Sequence, residues 1–217
     1  MSRPNLPGIF SDAYPREYEA YNTQYQGQIE SIGWKLWDTQ TYTSGTTTAL
    51  TNFFNVRATQ DLSNMEVAFQ LPAPKAFLVR AIRFFVKQRP QTVSPAAASG
   101  NATGAFDNIA QLINTAVMTF TIGNKTYDLE PLWCLTAGGG AAGSMAIAVS
   151  AGGGSNFIDY AQNGISDPRA VNTLSKPLFI SPQINFNARI DWAAAVTLTV
   201  SPAVCLLLDG DLLRPVQ

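Results

Sequence analysis

The chain has 217 residues, of which 46% are hydrophobic and only 13% are charged, and its formal net charge is −1. This length can bury a sizeable core in one domain, and a net charge near zero argues against direct binding of nucleic acid through its phosphates. The chain contains no histidine, which excludes histidine-based triads and histidine metal sites. Such a weakly charged surface predicts extensive coverage by copies of the chain or by partners.

Residues 1–30 are predicted to form an N-terminal arm with a short helix. Pro4, Pro7 and Gly8 lie in an arm without periodicity, which favours an extended conformation. Pro15–Gln26 is predicted to be helical, because Pro15 suits a first helical position and Gly27 a C-terminal stop. Four tyrosines recur on one face at helical spacing. They are Tyr14, Tyr18, Tyr21 and Tyr25.

This tyrosine stripe needs a surface to pack against, because tyrosine buries a large area while its hydroxyl keeps a hydrogen bond. One interpretation is packing on the chain's own β domain. The other is contact with a neighbouring subunit or a lipid surface, although Glu17 and Glu19 make an anionic membrane unfavourable. The four tyrosines are therefore our candidate subunit-contact residues.

Residues 31–217 are predicted to form one all-β domain of about eight strands. Alternating or continuous apolar residues predict strands around Trp34, at Phe53–Val56, at Met65–Leu71 and at Ala76–Gln88. Loops are predicted at Thr39–Thr48 and at Gln91–Thr103. Loops are also predicted in the glycine- and alanine-rich tract Ala137–Gly154 and in the polar stretch Ser155–Ser175 that follows it.

A short crossover helix and a hairpin are predicted in the middle of the chain. The helix is indicated by apolar residues at 3.6 spacing. Val117–Asp128 then predicts a hairpin around Gly123-Asn124. The helix residues are Phe106, Ile109, Leu112, Ile113 and Ala116.

The C-terminal stretch Pro177–Gln217 carries the strongest strand signal in the chain. Val196, Leu198 and Val200 alternate with threonine, as in a strand with one buried face. Val204–Leu208 is apolar without a break, which predicts a strand covered on both faces. A tight turn is expected at Asp209-Gly210-Asp211, because the Asp-Gly pair favours turns.

No residue pattern in the sequence predicts a reaction or a cofactor. Gly138, Gly140 and Gly143 match a dinucleotide-binding spacing, but the alternating residues that follow indicate a strand where that motif requires a helix. Cys134 and Cys205 lie in apolar runs and are interpreted as buried free thiols, although a disulfide between them stays open. We expect five arginines to form ion pairs across strands or interfaces. They are Arg57, Arg80, Arg83, Arg189 and Arg214.

The order of arm, strand pairs, proline corner, crossover helix and closing strands resembles the jelly-roll major capsid proteins of tailless icosahedral phages. The tail from Leu178-Phe-Ile-Ser-Pro to Leu207-Leu-Asp-Gly-Asp-Leu-Leu-Arg214 is similar to the C-terminal halves of small capsid proteins. Within that group it resembles the vertical single-jelly-roll type of internal-membrane phages.

This resemblance implies a single jelly-roll β-sandwich and a structural role in a virion. It implies a shell built from copies of the chain, other virion proteins as partners, an internal membrane beneath the shell in that type, and assembly in the host cytoplasm. It implies no enzymatic activity.

The rival interpretation is a jelly roll that binds a receptor or a carbohydrate through exposed tryptophans. Trp34, Trp133 and Trp192 lie in apolar segments that predict burial, which disfavours this alternative, whereas Trp37 stays available. A metal-dependent jelly-roll enzyme would need histidine ligands, and the chain has none.

Overall fold

The computed structural model describes residues 15–43, 45, 47–88, 111–136, 139–149, 155–164, 171, 173–198 and 202–216. Within them one helix precedes ten strands. The elements are α1 (Arg16–Gln24), β1 (Ile29–Thr41), β2 (Thr47–Phe53), β3 (Ala76–Gln88), β4 (Ala116–Ile122), β5 (Lys125–Pro131), a 3-10 helix (Leu132–Leu135), β6 (Gly139–Val149), β7 (Ser155–Gly164), β8 (Thr173–Ile180), β9 (Phe186–Thr197) and β10 (Pro202–Pro215). The predicted N-terminal helix and all-β character are confirmed.

Eight of these strands form two four-stranded sheets. Sheet A has the order β1-β10-β3-β8, and sheet B has the order β2-β9-β4-β5. Every strand pair is antiparallel. Strands β6 and β7 form a separate two-stranded hairpin.

The main core lies between the inner faces of the two sheets. In β4, Ala116, Met118, Phe120 and Ile122 are buried while the residues between them are more exposed. This alternation follows from the period of two in a strand with one covered face. The core also contains buried side chains of both sheets, including Phe53, Phe77, Phe84, Phe186, Ile190, Leu206 and Leu208.

Strand β10 is one of the two central strands of sheet A, since it pairs with β1 on one side and β3 on the other. The predicted turn at Asp209-Gly210-Asp211 is wrong, because these residues lie inside β10. The turn preference of the Asp-Gly pair is outweighed here by the pairing of β10 with β1 and β3. A β-bulge occurs between Asp209 and Gly210, and a Cβ atom at Gly210 would lie only 2.0 Å from the Leu78 carbonyl oxygen.

The expected strand at Met65–Leu71 is also wrong. The segment forms turns with an isolated bridge between Val67 and Gln70, and Phe69 has a left-handed φ of 59°, which breaks an extended strand. Met65 and Leu71 are nevertheless buried in the main core. The periodicity therefore reflected burial at two positions of a loop.

Two further loop predictions need correction. The polar stretch contains β7, and the glycine- and alanine-rich tract contains β6, whose second half is the strand that the alternating residues after Gly143 indicate. The Thr39–Thr48 loop is shorter than predicted, because β1 continues to Thr41 and β2 begins at Thr47. The described residues contain ten strands, of which eight form the two sheets of the sandwich, in line with the expected eight or so, and two form the β6–β7 hairpin.

The predicted strand at Phe53–Val56 is wrong beyond its first residue, because β2 ends at Phe53 and Phe54 has a left-handed φ of 71°. Several other predictions agree with the structure where it describes them. Strand β3 has the predicted bounds, and the β4–β5 hairpin turns at Gly123-Asn124. Residues 111–114 are helical, with Leu112 and Ile113 buried, whereas Ala116 begins β4. Predictions for residues 1–14, for Gln91–Thr103 and for Phe106, Ile109, Gly138 and Val200 lie outside the described residues.

Candidate functional site

The outer face of sheet A carries the helix predicted as a contact element. Tyr21 of α1 is only 4% exposed and packs on a small cluster of sheet residues. The Tyr18 ring meets the Phe179 ring edge-on, with centroids 6.0 Å apart, which is a favourable aromatic geometry. The cluster beneath the helix consists of Ala76, Leu78, Phe179 and Leu213.

The Tyr21 hydroxyl fixes the helix to the sheet by donating a hydrogen bond of 2.6 Å to the Pro74 carbonyl oxygen. The Leu213 carbonyl oxygen lies 3.4 Å from the same hydroxyl. Burial, and secondarily the neighbouring Tyr25, raises the pKa of Tyr21 to about 12. Tyr21 is thus neutral and hydrogen-bonded at physiological pH.

The structure brings three of the four candidate contact tyrosines together on the chain's own sheet. Tyr21 is buried, while Tyr18 and Tyr25 are partly exposed at the edges of the same contact. Tyr14 lies outside the described residues. Contact between this stripe and a neighbouring subunit stays a prediction.

Beyond the helix, the outer face of sheet A carries paired charges. Arg80 of β3 pairs with Asp211 of β10, and Arg83 pairs with Asp209. The Lys35 ammonium of β1 lies 3.8 Å from the Asp209 carboxylate. All five arginines named from the sequence contact carboxylates, since Arg57, Arg189 and Arg214 also form ion pairs. The predicted pairing across strands is wrong for Arg189, because its partner Asp191 lies in the same strand, β9.

A shallow cleft of about 490 Å³ opens beside these charges, where β1 meets β10. Gly33 and Gly210 contribute backbone to it, and Trp34 and Trp37 line it. The Trp37 indole donates a hydrogen bond of 3.2 Å to the Gln60 carbonyl oxygen, which fixes its ring. The charged residues lining the cleft are Lys35, Arg80 and Asp209.

The exposure of two tryptophans contradicts the sequence prediction. Trp34 is 46% exposed and Trp133 is 55% exposed, whereas Trp192 is buried as predicted. Trp34 lies in β1 near an edge of the sandwich, and Trp133 lies in the 3-10 helix. An apolar sequence context does not distinguish a covered position from one at the edge of a sheet.

The outer edge of β1 is covered by the segment that follows β2. Asn64 accepts a hydrogen bond of 2.9 Å from the Trp37 amide and donates one of 2.7 Å to the Lys35 carbonyl oxygen. Fully buried Asp38 receives two hydrogen bonds from Arg57, at 2.7 and 2.9 Å. The Asp38 carboxylate also accepts hydrogen bonds from the backbone amides of Phe54 and Asn55. These contacts protect an edge that could otherwise pair with another strand.

Neither cysteine is in a disulfide. Cys205 is buried as predicted, but Cys134 is only half-buried and lies in the 3-10 helix. Burial, and secondarily Glu130, raises the pKa of the Cys134 thiol, which disfavours the reactive thiolate.

Two features are absent from the described ranges. Within them, no three or more histidine, cysteine or acidic side chains are grouped so as to hold a metal ion. No helix in the same ranges has the length and apolar character needed to cross a membrane.

Comparisons with protein-family models, with curated proteins and with solved structures found no match. Functional inference therefore depends on the strand order and on the surfaces described above. Sequence reasoning missed the cleft, and the signal that could have indicated it is Gly33 inside a strand rich in aromatic residues, because a strand glycine often marks a close approach by a ligand.

Proposed function

We propose that the sandwich is a single jelly roll. Its support is the nested pairing of the eight sandwich strands along the chain. The first strand pairs with the last (β1 with β10), the second with the second-last (β2 with β9), and the third with the third-last (β3 with β8). Strands β4 and β5 close the set as a hairpin, and the β6–β7 hairpin is then an insertion between β5 and β8.

This nested antiparallel ribbon also folds back on itself. Strand β10 pairs with β3, and β9 pairs with β4, which divides the ribbon into two sheets. Two Greek keys arranged as two packed sheets define the jelly roll, an architecture that recurs in viral capsid proteins and lectins.

We further propose that the protein is a structural virion protein, a self-assembling subunit of an icosahedral shell. The observation that carries this proposal is the nested strand order, and the low charge of 13% supports it. A shell subunit covers much of its surface with neighbours and needs little charge for solubility. The partners are copies of the chain and other virion proteins, and the site of assembly is the host cytoplasm.

The test of this proposal is the product that the purified chain forms. We expect closed shells of many copies by electron microscopy and a correspondingly large mass by analytical ultracentrifugation. A chain that stays a monomer or a small ring under all assembly conditions, with or without other virion proteins, would refute the proposal.

A deletion of residues 1–27 sharpens this test. We expect the truncated chain to keep a folded β domain and to lose assembly, because the deletion removes α1 but none of the sandwich strands. If its unfolding midpoint instead falls as far as that of a core variant, the helix belongs to the core, and a role restricted to assembly is wrong.

A receptor- or carbohydrate-binding jelly roll is the second candidate. The exposure of Trp34 and Trp133 favours it, because lectins use exposed aromatic rings to stack on sugars. Glycan-array binding by a small oligomer, lost in Trp34→Ala or Trp133→Ala, would support this alternative over the shell.

A further inference from the structure

Charge is distributed unevenly between the two sheets. Strands β2, β9 and β4, which lie side by side in sheet B, contain only two charged residues between them, Arg189 and Asp191. Strands β1, β10 and β3 of sheet A contain three charged residues each. The low charge of the chain is therefore most marked on these three strands of sheet B.

Both charges lie on the outer face of sheet B, near the middle of β9. Arg189 is exposed and Asp191 is half-buried, whereas Ile190 between them is buried in the main core. The register places Asp191 between Leu50 of β2 and Val117 of β4. These two aliphatic side chains are 46% and 39% exposed. One row of the outer face thus carries two exposed apolar side chains on either side of a carboxylate.

The neighbouring row on the same face is neutral apart from Arg189. Asn52 of β2 and Thr119 of β4 lie on either side of this arginine. We call the surface formed by the two rows the β9 face. Interface cores are depleted of lysine and acidic residues relative to the rest of a protein surface. Exposed aliphatic and neutral polar side chains around a single ion pair therefore favour contact with another protein surface over exposure to water.

We propose that the β9 face packs against the same face of a second copy of the chain, around a twofold axis that passes at Ile190. Such an isologous contact requires a surface that is complementary to itself. Because the axis reverses the direction of β9, a residue before Ile190 lies opposite the residue that is the same number of positions after it. This inference deepens the proposed assembly function and rests on it.

The two charges favour a second copy over a different protein as the partner. Arg189 and Asp191 lie one residue on either side of Ile190, and they pair with each other at 2.8 Å within the strand. Across the proposed axis, Arg189 of each copy faces Asp191 of the other, so that two further ion pairs form. A different protein would have to carry its own matching pair of charges, whereas a copy of the chain carries it by symmetry.

The flanking residues are compatible with the same axis. The two rows exchange places across it, so that Leu50 and Val117 of one copy lie over Asn52 and Thr119 of the other. The contact therefore removes two exposed aliphatic side chains of each copy from water, which favours association. It brings no like charges into opposition.

Reversal of either charge tests the contact. Arg189→Asp places carboxylates opposite each other across the axis, and Asp191→Arg places guanidinium groups opposite each other. We expect each variant to pair at least about tenfold more weakly than the wild type, because like charges in opposition disfavour binding. Sedimentation of dissociated subunits of the full chain over a series of concentrations measures this pairing.

A mixing experiment tests whether the partner is a second copy. The Arg189→Asp chain presents only carboxylates at the two positions, and the Asp191→Arg chain presents only guanidinium groups. We expect the two chains to pair with each other when mixed, although neither pairs with itself. The double variant Arg189→Asp/Asp191→Arg should pair with itself as the wild type does. Rescue by mixing also separates loss of the contact from loss of folding.

The matched control is Arg214→Asp. Arg189 and Arg214 are 49% and 50% exposed, and each forms an ion pair with a carboxylate. Arg214 lies in β10 of sheet A, outside the β9 face, so its reversal should leave pairing unchanged. Thermal unfolding of both reversed chains should stay close to that of the wild type, because exposed ion pairs contribute little to stability.

Three outcomes would overturn the proposal. These are a wild type that stays a monomer at every concentration, a single reversal that pairs as tightly as the wild type, and a mixture in which the two reversed chains do not pair. Binding of another virion protein to a monomeric wild type, lost in Arg189→Asp, would assign the β9 face to that protein and likewise overturn pairing between copies.

This contact and the shell function fail in different ways. Complete shells formed by both single-reversal chains would refute the contact and leave the shell function standing. Pairs of the wild type that depend on Arg189 and Asp191, without shells under any assembly condition, would refute the shell and leave the contact standing.

Discussion

The two faces of sheet A differ in what covers them and in how they are held. Its inner face contributes Leu206, Leu208 and Phe84 to the continuous core against sheet B. Its outer face carries a small cluster under α1, a row of paired charges and an open cleft. The strands of sheet A thus contribute to the hydrophobic core on one side and carry the helix, the ion pairs and the cleft on the other.

Because the two faces are covered differently, we expect substitutions on them to separate folding from assembly. A side chain on the inner face is enclosed by both sheets, so that its loss leaves a cavity. A side chain on the outer face is covered by one short helix or by charged neighbours, so that its loss leaves the sandwich intact.

Leu206→Ala and Leu207→Ala compare adjacent residues on opposite faces of β10. Leu206 is fully buried in the core, and we expect its truncation to reduce the free energy of unfolding by about 4 kcal/mol, within the usual range for enclosed leucines. Leu207 is half-buried on the outer face, so its truncation should lower particle yield more than subunit stability. Denaturant unfolding of dissociated subunits and particle yield measure the two effects. Equal losses of stability without loss of assembly would contradict the division.

Arg57→Ala tests the ion pair that Arg57 forms with the buried carboxylate of Asp38. Asp38 shares a face of β1 with Leu36 and is fully buried, and removal of Arg57 leaves its carboxylate with only backbone donors. We expect a loss of about 3 kcal/mol in unfolding free energy, as for a broken buried ion pair.

The matched control for Arg57→Ala is Arg214→Ala. Arg214 pairs with Glu30 at the same distance of 2.7 Å, but both side chains are about half exposed. This surface pair should contribute below about 1 kcal/mol. Similar losses in the two variants would mean that burial of Asp38 does not decide the effect.

Strands that alternate or pair locally could be predicted from the sequence, whereas features set by distant pairing could not. Strand β3 and the β4–β5 hairpin follow from local periodicity and a Gly-Asn turn. The strand at Asp209-Gly210-Asp211 could not be predicted, because the local preference for a turn is outweighed by pairing with β1 on one side and β3 on the other. The cleft escaped prediction for a related reason, since it depends on the register of β1 with β10, which pairs Gly33 with Asp211 and Trp34 with Gly210.

Gly210→Ala and Gly33→Ala compare the two glycines at the cleft. At Gly210 the new methyl would overlap the Leu78 carbonyl oxygen at 2.0 Å, and the backbone must move. We expect a loss of about 2 kcal/mol, as for overpacking. At Gly33 the methyl meets open space, so a gain of about 0.5 kcal/mol is expected from lower unfolded-state entropy. Thermal unfolding of both variants measures the contrast, and a destabilised Gly33→Ala would mean that the position is constrained after all.

Tyr21→Phe tests how strongly the helix is held on the outer face. The substitution keeps the ring on Phe179 and removes the hydrogen bond to the Pro74 carbonyl oxygen, for an expected loss of about 1 kcal/mol at neutral pH. The phenol has a pKa of about 12 in the folded chain, against an ordinary pKa of 10.0 for tyrosine. Below pH 10 the stabilisation is therefore fully present, and between pH 10 and 12 it is lost because the unfolded chain releases the proton first.

The pH profile separates this residue from the other groups that titrate in the same range. Wild type and Tyr21→Phe should differ in the slope of unfolding free energy between pH 10 and 12, with the steeper decline in wild type. Tyr25→Phe is the control, because Tyr25 is a partly exposed neighbour on the same helix. If wild type and Tyr21→Phe decline in parallel, the hydroxyl is not held against the sheet, and the helix is free to leave the surface that it covers here.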